Sequence, residues 1–68
     1  MSTLAPFFPG ATVRALKPVS APNGLIIPPG AHGVIKGFDR ACRPQVEFAG
    51  RPGLIVVCEE RELAVTSI

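Results

Sequence analysis

The fold is decided by the stretch Ile26 to Phe38, I-I-P-P-G-A-H-G-V-I-K-G-F. Pro28 and Pro29 restrict the backbone and remove two donors, so no helix passes through them. Gly30 and Gly33 are expected to supply positive φ, and a β-rich run begins at Val34. The segment reads as a turn that delivers the chain into a strand, with His32 exposed in the turn.

Short strands of the same style lie on both sides. Upstream, Ala11 to Leu16 alternates, placing Val13 and Ala15 inward and Thr12 and Arg14 outward. Residues 17–30 read as one long loop, dense in proline, with the turn dipeptide Asn23-Gly24 inside it. Loops of this length are uncommon and often functional. Downstream, Gly33 to Phe38 is a strand with Ile35 inward and a bulge at Gly37. Pro44 to Phe48 is the next, with Val46 and Phe48 inward and Gln45 and Glu47 outward. Ala49 to Gly53, A-G-R-P-G, makes a hairpin turn. Leu54 to Cys58, L-I-V-V-C, is apolar at every position, which implies burial on both faces: Leu54, Val56 and Cys58 toward the core, Ile55 and Val57 outward. Glu59 to Glu62 fits a single 3₁₀ turn, and Leu63 to Val65 closes the chain. No helical periodicity of useful length occurs, so the expected class is all-β. Residues 1–9, with Phe7-Phe8 between prolines, suit an extended arm ahead of one domain over 10–68.

Sixty-eight residues make one domain that buries little of its surface. Yet hydrophobic residues reach 47% with no Trp or Tyr, and mean hydropathy is +0.37. Such an apolar balance is hard to hide in a small sphere, so a protein partner or a homo-oligomer is expected. The residues expected to meet it are Phe7, Phe8, Leu25, Ile27, Ile55 and Val57. The net charge of +2 permits acidic partners without demanding them. Two cysteines, Cys42 and Cys58, do not indicate a disulfide scaffold. Without an apolar run approaching ~18 residues or a charged-then-apolar leader, the expected compartment is the cytoplasm, with no membrane partner.

The sequence of elements (strand, long loop, three strands, 3₁₀ turn, strand) is that of a five-stranded SH3-like barrel. More closely, G-A-T-V-R-A-L-K-P-V-S at Gly10 to Ser20 resembles the opening of the small photosystem I protein that assists ferredoxin docking. Gly33 to Ile35, Val46 to Phe48 and Glu62-Leu63 fall where that family has G-T-V, V-R-F and E-L. The variable chain of ferredoxin:thioredoxin reductase is similar. These are electron-transport accessory proteins, so the resemblance implies a non-catalytic subunit that docks on a larger protein. It also implies a basic docking edge, carried by Arg14 and Lys17 and extended here to Lys36, Arg40 and Arg43. The chain departs from the photosystem I family in its P-P-G-A-H loop and its L-I-V-V-C strand.

No enzyme is legible. His32 and the two cysteines lack metal-ligand spacing, so no metal or cofactor is expected. Arg40 and Arg43 flank Cys42 and would favour its thiolate, but no base is placed beside it. Cys58 reads as a small core hydrophobe. The cluster Glu59, Glu60 and Glu62 reads as a solvated turn. The alternative function is a nucleic-acid module of the KOW type, with the basic residues and Arg51 along phosphates. Five acidic residues against seven basic ones, and no Trp or Tyr for stacking, weigh against it.

Overall fold

A computed structural model describes residues 7–66; the expected arm therefore lies outside the described residues up to position 6. The chain is all-β. Its strands are β1 (Thr12–Ala15), β2 (Val19–Ser20), β3 (Ile26–Ile27), β4 (His32–Phe38), β5 (Pro44–Phe48), β6 (Ile55–Val57) and β7 (Leu63–Val65), with a 3₁₀ turn at Glu60–Glu62. Five strands form one antiparallel sheet in the order β6-β5-β4-β1-β7, and β2 and β3 pair separately.

Proline–glycine dipeptides build the turns. At Phe8–Ala11, Pro28–Ala31 and Arg51–Leu54, the fourth residue's N–H donates to the first residue's carbonyl at 3.0, 3.3 and 3.1 Å. The third residue of each is a glycine with φ of +93°, +88° and +84°. A proline that pre-sets φ, followed by a glycine that takes the positive φ, is the chemistry of a type II turn. The long loop expected over 17–30 is in fact a hairpin. Gly24 N–H donates to Ala21 O, and Ala21 N–H to Leu25 O, so the turn around Pro22-Asn23-Gly24 pairs β2 with β3. Two-residue strands bounded by Pro18, Pro22 and Pro28 carry too little alternation to register as strands in sequence.

The core gathers Val13 and Ala15 from β1, Val19 and Ile27 from the hairpin, Ile35, Val46, Phe48, Val56, Cys58 and Leu63. The expected inward residues of β1, β4 and β5 lie there, as do Val56 and Cys58, while Leu54 is half-buried against it. The bulge is also present: pairing of β4 with β5 shifts between Ile35 and Gly37. Two details differ. The strand begins at His32 rather than after it, and Gly33 is a buried strand residue without positive φ. Its role is close approach. A Cβ at Gly33 would lie 2.6 Å from Val46 Cγ1, 2.9 Å from the Glu47 carbonyl oxygen and 3.1 Å from Phe48 Cδ1.

Because backbone is one of those neighbours, Gly33→Ala should destabilise the domain by about 1–3 kcal/mol, the range for overpacking. Gly50→Ala, where a Cβ meets nothing within 4 Å and φ is not positive, should be nearly neutral. Thermal unfolding of the two variants by circular dichroism checks the contrast.

Candidate partner-binding surface

β6 forms one edge of the main sheet. The Cys58 N–H donates to the Pro44 carbonyl at 2.9 Å, which sets the parity of the β5–β6 ladder. Val46 and Val56 then exchange hydrogen bonds, whereas Gln45↔Val57 and Glu47↔Ile55 are the non-hydrogen-bonded pairs. The N–H and C=O of Ile55 and Val57 therefore point away from β5, along the free edge. No bond joins them to another described residue. The side chains of both residues stand on the outer face, 38% and 39% exposed. The expected double burial of this apolar strand is thus met on one face only within a single chain.

Beside β6 the outer face is polar and ordered. Glu47 accepts the Gly53 N–H at 2.7 Å and pairs with Lys36 at 3.4 Å. Its carboxyl is held below the usual range, first by the Gly53 N–H and then by Lys36. This bond ties the turn before β6 to β5 and so positions the edge. At the other end, Asp39 accepts the N–H groups of Ala41 and Arg43 and pairs with the Arg43 guanidinium at 2.9 Å. The Arg43 backbone N–H is the first cause of a lowered Asp39 pKa.

The remaining expected site residues divide. Phe7 and Leu25 are half-buried against the core, while Phe8 is exposed. Ile27 is a correction: strand alternation turns it into the core at 3% exposure and leaves Ile26 outside at 60%. Of the basic residues, Lys36 and Arg43 are in ion pairs, and Arg43 also lies 3.9 Å from Glu59. Arg14 stands opposite His32 at the start of β4, roughly 13 Å along the strand from Lys36. Arg40 lies in the turn beyond the far end of β4. Lys17 is exposed after β1.

Chemistry-bearing groups do not converge. Among the described residues no cluster of three His, Cys, Asp or Glu side chains is placed to hold a metal. Cys58 is buried, and burial, then the Glu62 charge, pushes its thiol up to about 12. Cys42 is exposed beside an open depression of about 530 Å³ walled by Arg43, Glu59, Glu60 and Arg61, with no histidine in it. Cys42 is also the one described non-glycine residue with positive φ, +64°, which no local sequence signal marks. It sits where the Asp39–Cys42 turn returns to β5, with Cys42 N–H bonded to Asp39 O and Asp39 N–H to Arg43 O. Gly24 holds the matching position in the β2–β3 turn.

Comparison with known protein families, curated proteins and solved structures finds no match.

Two outcomes follow from this surface. Positive φ costs an L-residue about 1–2 kcal/mol, part of which glycine returns as unfolded-state entropy, so Cys42→Gly should raise the melting temperature and Cys42→Val lower it. For pH, the folded pKa of Glu47 is lowered, so its contribution is whole above about pH 5 and is lost as pH falls through the folded value. Melting temperatures measured from neutral to acid pH should fall on the acid side. Glu47→Gln should melt lower at neutral pH and show a smaller acid drop.

Proposed function

We propose that this chain is a non-catalytic interaction module built as an SH3-like barrel, which binds protein through β6. The observation that carries this reading is the β6 edge: free backbone groups flanked by exposed Ile55 and Val57 on the same strand. Edge strands with apolar faces bind other chains by strand addition, in which main-chain bonds give affinity and alternate side chains give specificity. The barrel assignment is supported by the order β6-β5-β4-β1-β7, the hairpin between β1 and β4, and the 3₁₀ turn ahead of β7. The resemblance of Gly10 to Ser20 to an electron-transport accessory protein supports the same class of role. An exposed, unpaired Cys42 suits a reducing compartment such as the cytoplasm.

The test replaces both outward residues, Ile55→Ser and Val57→Ser. These positions are not core, so the fold should survive with a loss of about 1 kcal/mol or less each. Affinity-tagged wild-type protein isolated from its native cells should run at a higher native mass than the bare chain, and the double variant should not. Equal masses for the two, with the variant still folded by circular dichroism, would remove β6 as the binding surface.

A further inference from the structure

Resting on that reading of β6, we infer that its occupant is a second copy of this chain, joined antiparallel across a two-fold axis at Val56. The backbone groups left free belong to Ile55 and Val57, the residues one step either side of Val56. Antiparallel pairing centred on Val56 sets Ile55 of each copy opposite Val57 of the other. Those are the positions whose N–H and C=O both point outward, so each donor meets an acceptor without any shift of register. The same pairing brings the Ile55 side chain of one copy beside Val57 of the other on the outer face. Two five-stranded sheets become one continuous sheet.

Charge selects the antiparallel direction. Between Phe48 and Cys58 the only charged residue is Arg51, in the turn leading into β6. Past Cys58 come Glu59, Glu60 and Glu62, against Arg61 as the like charge at that end. Glu59 also faces Arg43 at 3.9 Å, while among the described residues no ion pair engages Arg51 or Glu60. Continued past the strand ends, that register sets Arg51 of one copy against the 60–62 segment of the other, where Glu60 and Glu62 flank Arg61, at both ends of the joint. A parallel partner would set Arg51 beside Arg51 and glutamates beside glutamates. With β6 only three residues long, the joint is short, and the dimer is concentration-dependent rather than obligate.

The experiment is native mass by light scattering on the purified full chain over a concentration series, with three variants. Val57→Pro removes an N–H that has no partner within one chain, which an edge strand tolerates. The wild type should double its mass with rising concentration, and Val57→Pro should stay a monomer with an unchanged circular dichroism spectrum. Should Val57→Pro fail to fold, the exposed pair decides. Arg51→Glu should weaken dimerisation about fivefold, and Arg51→Glu combined with Glu60→Arg should restore it to within about twofold of wild type. A wild type that remains monomeric to about 1 mM overturns the inference. So does a folded Val57→Pro that still dimerises, or a double charge reversal that fails to rescue. A monomeric wild type whose tagged form still gains mass in the native cell, through Ile55 and Val57, would overturn only the second-copy partner and leave β6 as a docking strand for another protein.

Discussion

The structure depends on how closely β4 and β5 approach at Gly33. With no Cβ there, the Glu47 backbone and the Phe48 ring come down onto β4. That contact sets the register Gly33↔Phe48, Val34↔Glu47 and Ile35↔Val46. Since side chains alternate with a period of two, the register sends Val46 and Phe48 into the core and Glu47 to the outer face. The bulge between Ile35 and Gly37 then absorbs one residue, so that Gly37 and Phe38 still pair with Gln45 and Pro44. A one-residue slip would bury Glu47 and expose Phe48, at a cost a 68-residue domain has no reserve to offset.

From that ladder the outer surface follows. Glu47, held outward, reaches both Lys36 on β4 and the Gly53 N–H in the turn ahead of β6. The turn's Pro52-Gly53 pair supplies the backbone bend, and the carboxylate fixes where the bend sits. β6 therefore enters the sheet with Val56 paired to Val46 and buried, and with Ile55 and Val57 outward. A single charged side chain thus links the central pair of strands to the placement of the edge strand.

Much of this was legible because the signals were local. Alternation in Ala11 to Leu16 and Pro44 to Phe48 named the inward residues, and L-I-V-V-C named the strand with an apolar outer face. The β2–β3 hairpin was not legible, since prolines fragment it into strands of two residues whose pairing depends on packing Val19 and Ile27 into a core assembled from distant segments. Ile27 reads as an outward residue for that reason: without the hairpin, Leu25 to Ile27 shows only a short apolar run, and its inner and outer members cannot be told apart. Gly33 shows the same limit from another side. A glycine after a proline-rich turn suggests positive φ, and only the partner strand reveals that the constraint is the missing side chain. The positive φ of Cys42 is imposed by the Asp39 turn, whose carboxylate gathers the N–H groups of Ala41 and Arg43.

The two sheet edges are treated differently, and that difference bears on function. On β7, the 3₁₀ turn folds back so that the Leu63 N–H donates to Glu60 O, and Leu63 and Val65 lie against the core. Charge also marks this edge, through Glu60, Arg61 and Glu62 immediately before it. β6 carries no lysine, proline or charge within the strand itself and is guarded by brevity and by the charged 59–62 segment that follows Cys58. Natural sheets avoid such an edge unless something pairs with it. Several groups capable of chemistry are spent on structure, Asp39 on its turn, Glu47 on the β6 turn, Glu62 on the Glu59 N–H and Cys58 in the core, while His32 and Cys42 are exposed toward opposite ends of β4. In the described chain, the backbone groups of Ile55 and Val57 stay unpaired along the β6 edge, and the proposed joint between chains rests on them.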